Sequence, residues 1–108
     1  MYTGTELIAT ERQRQIEVEG WTAKHDSLQT DGELAKAAAC YAVGIPVYRE
    51  ERLFTNGDTR LPHIHMVNLW PWDSYWYKPK NRLSDLVRAG ALIAAEIDRI
   101  LAQRQDDH

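Results

Sequence analysis

The chain has 108 residues, with 13 Lys or Arg and 16 Asp or Glu, which gives a formal net charge of -3 when the histidines are neutral. This length suits one domain, because two cores in so short a chain would each need disulfides or a metal. The negative charge argues against binding to nucleic acid polymers, and no apolar run approaches the roughly 20 residues that a membrane span requires. A single cysteine, Cys40, and no signal-peptide pattern between Met1 and Ala9 predict a cytoplasmic protein.

The first predicted helix begins at Thr3 or Thr5 and ends near Glu19. Thr3 and Glu6 have the spacing of a capping box, in which a hydroxyl and a carboxylate bind each other's free backbone N–H groups. Gly20 follows the helix and can take the left-handed conformation that closes a helix.

A second helix is predicted after a loop from Trp21 to Gln29. Thr30 and Glu33 repeat the capping spacing, and Gly44 is expected to end the helix. Small side chains dominate it, which allows another backbone to approach closely. They are Ala35, Ala37, Ala38, Ala39 and Ala42.

The segment from about residue 45 to about residue 76 is predicted to be a short irregular or β-hairpin insert. Asn56 and Gly57 form the dipeptide best suited to a tight hairpin turn, because both residues tolerate positive φ. Residues 47–55 and 60–69 would form the two arms.

The last predicted helix runs from about residue 82 to about residue 104, followed by a polar tail at 103–108. Its aliphatic residues have the alternating three-and-four spacing of a buried seam: Leu83, Leu86, Gly90, Ile93, Ile97 and Ile100. Gly90 is expected to contact the alanine face of the second helix. The fold class is therefore mainly α, a single domain built as a compact bundle of about three helices. Its narrow apolar stripes predict a homo-oligomer, at least a dimer.

An aromatic segment precedes the last helix and comprises Trp70, Trp72, Tyr75, Trp76 and Tyr77. These rings could form a lid over a small helical core. Alternatively, they could form a platform on which a purine or nicotinamide ring stacks, with Lys78, Lys80 and Arg82 binding phosphate. Large aromatic side chains are buried more often than displayed, which favours the lid.

Other chemical sites have weaker support. His63 and His65 would lie on the same face of a strand, a usable geometry for a metal, and His25 with Asp26 could complete such a site in space. No nucleophile motif or phosphate-binding glycine loop is present. Cys40 is expected to be a small core residue.

Several strings of the sequence resemble a group of short proteins encoded by tailed bacteriophages and prophages. They are Glu11-Arg-Gln-Arg-Gln-Ile16, Glu19-Gly-Trp21, His25-Asp26, Gly32-Glu-Leu34, Ala37-Ala-Ala-Cys-Tyr-Ala42, Trp70-Pro-Trp72, Trp76-Tyr-Lys-Pro79, Asp85-Leu-Val-Arg-Ala-Gly-Ala-Leu-Ile93 and Ala95-Glu-Ile97. The resemblance implies an accessory phage protein that works in the cytoplasm of the host cell.

This group is loosely similar to the MazG-like, all-helical nucleotide pyrophosphohydrolases. Those enzymes hold Mg²⁺ with Glu-x-x-Glu on one helix and Glu-x-x-Asp on another. The present chain departs from the pattern, because Lys36 follows Glu33 by three residues and Arg99 follows Glu96 by three. Scattered acidic residues could still supply a site, namely Asp31, Glu33, Asp85, Glu96 and Asp98.

We therefore predict a phage accessory protein that binds a nucleotide-derived small molecule without necessarily cleaving it, with the possible role of sequestering a host defence signal. The predicted ligand-binding residues fall into three groups. Trp21, Trp72 and Trp76 would stack on the ligand, Arg12, Lys78 and Arg88 would contact an anion, and Gln15, Glu19, His25 and Asp26 would form hydrogen bonds. No catalytic residue and no cofactor is predicted for this function. The alternatives are a Mg²⁺-dependent pyrophosphohydrolase and a protein that inhibits a host enzyme by direct contact.

Overall fold

The computed structural model describes the backbone of residues 1–44, 48–53 and 63–106, and the side chains of residues 1–44 and 69–105. As predicted, this part of the chain is mainly helical. Its elements, in chain order, are α1 (Gly4–Glu17), α2 (Ala23–Asp26), α3 (Glu33–Val43), β1 (Tyr48–Leu53), β2 (His63–Asn68), a single 3₁₀ turn (Ser74–Trp76) and α4 (Arg82–Asp106). None of the helices in these ranges has the length and apolar character needed to cross a membrane.

Helix α1 begins with the predicted capping box. The Glu6 backbone N–H donates to Thr3 Oγ1 over 3.2 Å, and the Thr3 backbone N–H donates to Glu6 Oε1 over 3.2 Å. The predicted end is wrong by two residues, because the helix stops at Glu17 and Val18 serves as its C-cap. Gly20, with φ of 74°, lies beyond the helix in the connection to α2. Glu19 is therefore not on the helix.

The predicted loop at residues 21–29 contains a one-turn helix, α2, that sequence reasoning missed. Thr22 caps it, since its hydroxyl accepts a hydrogen bond from the His25 backbone N–H over 3.3 Å. This short helix fixes the positions of His25 and Asp26 next to the end of α1.

Helix α3 begins at Glu33, but without the predicted capping box. Gly32 is its N-cap residue, with φ of 76° and no side-chain cap, and the Glu33 carboxylate accepts a hydrogen bond from the Asp31 backbone N–H instead. The predicted end is confirmed, because Gly44 closes the helix with φ of 90°.

The core lies where α3 packs against α4 and against the aromatic segment. Its buried hydrophobic residues are Leu34, Ala37, Ala38, Cys40, Tyr41, Trp70, Ala89, Leu92 and Ala95. Most of those on the two helices are small, so the helix axes can approach closely. Cys40 is free and fully buried, which confirms that it packs in the core.

The predicted buried seam of α4 is wrong. Six large aliphatic residues lie on the surface, between 37 and 63% exposed: Leu83, Leu86, Ile93, Ile97 and Ile100, joined by Leu101. Gly90 does not face the alanines of α3, because a Cβ built on it would lie 2.5 Å from Cδ1 of Ile8 on α1. The helix buries Leu92 together with the small residues Ala89 and Ala95, which permit close packing against α3.

The insert contains the two predicted strands. They pair in antiparallel fashion, from Tyr48 opposite Asn68 to Leu53 opposite His63. The predicted turn at Asn56 and Gly57 lies outside the described residues. So do the side chains of His63 and His65, and the predicted metal pair therefore stays a prediction.

Candidate functional site

The aromatic segment lies across α3 and is anchored by Trp70, which is only 8% exposed. The Trp70 ring meets Tyr41 edge-on at a centroid distance of 5.6 Å, and Trp72 edge-on at 5.4 Å. Its indole N–H donates to the Asp73 carbonyl oxygen over 3.0 Å. Such edge-to-face contacts stabilise by about 0.5–1.5 kcal/mol beyond area burial, so the start of the segment is held firmly on the core.

Tyr77 anchors the other end of the segment. Its hydroxyl donates to the carbonyl oxygen of Cys40 over 3.3 Å. Burial raises the pKa of this hydroxyl above its ordinary value, with a smaller contribution from nearby Cys40 and Asp85. The hydroxyl therefore stays protonated and remains a hydrogen-bond donor.

A cleft of about 790 Å³ opens between the segment, the connection after α1, and helices α2, α3 and α4. Its volume falls in the range of sites for small organic ligands. The residues that line it are Glu19, Trp21, His25, Tyr41, Trp70, Trp72, Asp73, Trp76, Lys78 and Arg88.

Indole rings form the apolar walls of the cleft. Trp21 stacks in parallel with His25, with centroids 6.0 Å apart and an angle of 5° between planes, and its centroid lies 6.1 Å from that of Trp72. The Trp72 indole N–H donates to Gln29 Oε1 over 3.1 Å, which fixes that ring. Trp76 is 62% exposed at the rim. Trp70 is thus buried, as the lid hypothesis predicts, whereas Trp76 is displayed; that a ligand stacks on the segment stays a prediction.

Arg88 and Lys78 supply the positive charge of the cleft. Arg88 Nη1 donates to the Tyr41 hydroxyl over 3.2 Å and to the Lys78 carbonyl oxygen over 3.0 Å. Its Nε and Nη2 have no partner within the part of the chain that the structure describes, so they can donate to a ligand. Lys78 Nζ lies 4.0 Å from the centroid of the Tyr75 ring and forms no ion pair with a described residue.

Glu19 belongs to a network of charged residues at the end of α1. Arg14 donates to Glu11 Oε1 over 2.6 Å and to Glu19 Oε1 over 2.8 Å. Burial alone would raise the pKa of the Glu11 carboxyl, but the hydrogen bond and charge of Arg14 outweigh it, and the pKa lies below its ordinary value. The bond to Glu11 likewise raises the pKa of the Arg14 guanidinium. Glu19 is therefore held at the rim of the cleft by a fixed cation.

A row of three polar side chains leads from the cleft into the protein. His25 Nδ1 lies 3.0 Å from Asp26 Oδ1, and Arg12 Nη2 donates to Asp26 Oδ2 over 3.1 Å. Asp26 is only 2% exposed. Arg12 also lies 3.7 Å from the Asp98 carboxylate, beside a smaller cavity of about 380 Å³. His25 thus faces the cleft, while Asp26 and Arg12 stand behind it.

The structure brings seven of the ten predicted ligand-binding residues to this one cleft. They are Glu19, Trp21, His25, Trp72, Trp76, Lys78 and Arg88. The other three do not line it. Arg12 and Asp26 border the smaller cavity, and Gln15 is fully buried and donates to Glu11 Oε2 over 3.2 Å. That the seven contact a ligand stays a prediction.

Sequence reasoning did not assign Tyr41, Trp70 and Asp73 to the site. Trp70 and Asp73 belong to the aromatic segment that the sequence singled out, and their proximity to Trp72 was a usable signal. Tyr41 gave no such signal, because it meets Lys78 and Arg88 across 37 and 47 residues of chain.

The acidic residues considered for magnesium are dispersed. Asp85 accepts a hydrogen bond from the Lys80 backbone N–H over 2.8 Å, Glu96 pairs with Arg99, and Asp98 lies beside Arg12. Within residues 1–44 and 69–105, no three His, Cys, Asp or Glu side chains come together as a metal site.

Comparison with known proteins adds no assignment: no family model matches the sequence, and no curated protein or solved structure is significantly similar to it.

Proposed function

We propose that the chain is a cytoplasmic binding protein that holds a nucleotide-derived small molecule in the aromatic cleft. The observation that carries this proposal is the combination, in one cavity of about 790 Å³, of indole walls with Nε and Nη2 of Arg88, which bond to none of the residues that the structure describes. Trp21, Trp72 and Trp76 offer faces on which a base can stack, and a stacked base gains ~1–3 kcal/mol. Arg88 and Lys78 offer donors to a phosphate.

The charges of the cleft favour a ligand with few phosphates. Two carboxylates, Glu19 and Asp73, and two cations, Lys78 and Arg88, line its walls. A triphosphate would bring several negative charges to a surface whose formal charges cancel. A nucleoside monophosphate or a cyclic nucleotide fits this balance better.

Binding without turnover would remove such a molecule from solution. Together with the resemblance to phage accessory proteins, this leads us to propose sequestration of a host signal nucleotide. Mass spectrometry of small molecules released from protein purified from cells would identify the ligand. Calorimetry against monophosphates, cyclic nucleotides and triphosphates, with and without EDTA, would test the class.

Two variants test whether the ligand binds in the cleft. Trp76→Ala removes an exposed ring, so the fold should survive, and affinity should fall about 5- to 140-fold if stacking on it contributes ~1–3 kcal/mol. Lys78→Met removes the ammonium group of Lys78 and should weaken binding of phosphate-bearing ligands. Tyr2→Ala is the matched control, since it removes a side chain in a residue that is 73% exposed and lies outside the cleft. Absence of any nucleotide binding, or wild-type affinity in both cleft variants, would refute the proposal.

We also propose that the chain associates with a second copy through the exposed aliphatic face of α4. This face has the three-and-four spacing of a helical seam. Ile8 of α1 packs on it at Gly90, but its large aliphatic residues remain 37–63% exposed, and exposed apolar patches mark interaction sites. Among the described helices only α4 carries such a seam, so the same helix of a second copy is its natural partner.

Light scattering after gel filtration tests this association. The wild-type chain should have at least twice the monomer mass, and Ile97→Asp should have the mass of one chain. Leu28→Asp is the matched control, because Leu28 is 73% exposed and lies outside α4. A wild-type monomer at high protein concentration would contradict the assignment.

A further inference from the structure

We propose that His25 recognises the ligand by accepting a hydrogen bond from the exocyclic amine of a base, an inference that rests on the proposed function. A neutral imidazole has one N–H donor and one acceptor, and its partner decides which nitrogen carries the proton. Here Nδ1 lies 3.0 Å from a carboxylate oxygen of Asp26. A carboxylate only accepts, so in the neutral imidazole the proton sits on Nδ1 and Nε2 presents its lone pair.

Arg12 makes this arrangement rigid. Its Nη2 donates to Asp26 Oδ2, and Asp26 is 2% exposed, so both carboxylate oxygens are used and the side chain cannot turn. Arg12 is itself held by the Trp21 carbonyl oxygen, which accepts from its Nη1 over 3.4 Å. Arg12 and Asp26 are therefore positioning residues, and His25 alone faces the cleft.

Ring geometry favours a base that is parallel to the imidazole. The His25 and Trp21 rings stack with only 5° between their planes and with centroids 6.0 Å apart. A base that stacks on Trp21 beside His25 would therefore be parallel to the imidazole. Hydrogen bonds to an imidazole nitrogen lie in the plane of the ring, so a base at the height of that ring would present its edge to Nε2. A lone pair at this edge selects a base that presents an N–H group.

Adenosine 5′-monophosphate and purine riboside 5′-monophosphate differ only in the exocyclic amine and serve as the probes. Wild-type protein should bind the adenosine compound about tenfold more tightly, since loss of one such bond in a desolvated site costs ~1–3 kcal/mol. Equal affinities would overturn the inference while leaving the proposed function intact. Binding of neither compound would overturn the inference, and binding of no nucleotide at all would refute the proposed function as well.

Asp26→Asn should exchange the donor and acceptor nitrogens of the His25 imidazole. Arg12 has only donors, so the amide oxygen must face Arg12 and the amide NH₂ must face Nδ1 of His25. The imidazole proton then moves to Nε2, which becomes a donor and repels the amine. The preference for adenosine 5′-monophosphate should disappear or invert. Asp98→Asn is the matched control, because it changes the other carboxylate beside Arg12 without touching His25 and should keep the wild-type preference.

Nitrogen-15 NMR of the histidine ring tests the same point without a ligand. The free wild-type protein should carry the His25 proton on Nδ1, and the Asp26→Asn variant should carry it on Nε2. A proton on both nitrogens, or on Nε2 in the wild type, would overturn the inference. If Asp26→Asn does not fold, His25→Phe decides. It keeps a ring beside Trp21 and should bind the two nucleotides equally; a retained preference for the amine would count against His25.

Discussion

Replacement of Gly90 by Ala should show how α1 crosses α4. On an isolated helix this change would stabilise by about 1 kcal/mol, because glycine is the weaker helix former. In the structure, however, the new Cβ would lie 2.5 Å from Cδ1 and 2.8 Å from Cγ1 of Ile8, whereas ordinary contacts begin near 3.4 Å. Ile8 is β-branched, so its χ1 torsion is stiff, and rotation of Cδ1 about χ2 would still leave Cγ1 too close.

The two effects oppose each other. Overpacking of this kind costs about 1–3 kcal/mol, which exceeds the gain in helix propensity. We therefore expect Gly90→Ala to lower the free energy of unfolding by about 0–2 kcal/mol. In an Ile8→Ala background the obstructing atoms are gone, and the same change should raise the free energy of unfolding by about 1 kcal/mol.

Urea unfolding followed by circular dichroism, at one fixed protein concentration, gives the four stabilities of this double-mutant cycle. The coupling energy between the two positions should be about 1–3 kcal/mol. Gly4→Ala is the control, because a Cβ there would meet nothing within 4 Å, and its effect should not depend on residue 8. If Gly90→Ala stabilised the wild-type and Ile8→Ala proteins equally, α1 would not cross α4 at this point.

Two further predictions concern α1. Glu11 has a pKa below its ordinary 4.5 in the folded state, so its ionised form stabilises the fold above that pH, and this contribution is lost as pH falls through the folded-state value. Glu11→Gln should therefore lower the free energy of unfolding at pH 7 by about 1.5–3 kcal/mol, the scale of a hydrogen bond to a charged group. Urea titrations should show this difference from wild type shrinking towards pH 3. A difference that stays constant with pH would contradict the role of the ionised carboxylate. Thr3→Ala should lower the free energy of unfolding by about 1 kcal/mol, because the capping box is lost. Thr3→Ser keeps the hydroxyl and should be about as stable as the wild type. Equal losses in both variants would show that the hydroxyl does not cap the helix.

Local signals in the sequence were reliable where one interaction decides the structure. Thr3 and Glu6 formed their capping box, and Gly44 ended α3. The same capping spacing failed at Thr30 and Glu33, because the left-handed Gly32 begins α3 and Glu33 bonds to Asp31 instead. The spacing of two residues in the sequence indicates which hydrogen bonds their side chains can form. The conformation of the backbone between them determines whether these bonds form.

Periodicity found α4 but chose the wrong face. Two stripes run along this helix, one of large aliphatic residues and one in which Leu92 lies between the small residues Ala89 and Ala95. Burial of apolar area favours the first stripe, whereas the small residues of the second allow α4 to approach Ala37 and Ala38 of α3 closely. Predicting which faces of two helices pack together requires the surfaces of both helices. The hydrophobic pattern of one helix describes only its own surface.

The cleft was partly predictable because its residues cluster along the chain. Trp72, Trp76 and Lys78 lie within seven positions of each other, and Trp21, His25 and Glu19 within another seven. The contact between these two groups and with Arg88 depends on how α1, α2 and α4 pack. The same packing moved Arg12 and Asp26 from the proposed ligand surface to positions behind His25, where their effect on a ligand would be indirect.

Helix α4 separates the two surfaces that we propose. At 3.6 residues per turn, Arg88 and Ile97 are nine positions apart and therefore point in roughly opposite directions. Arg88 lines the cleft, while Ile97 lies on the exposed aliphatic face. Self-association through that face would leave the cleft open in every copy, so an oligomer of n chains would offer n equivalent sites. Ile97→Asp should separate the copies, and we expect it to leave the nucleotide affinity of each cleft unchanged. A loss of nucleotide binding on dissociation would mean that a neighbouring chain completes the site.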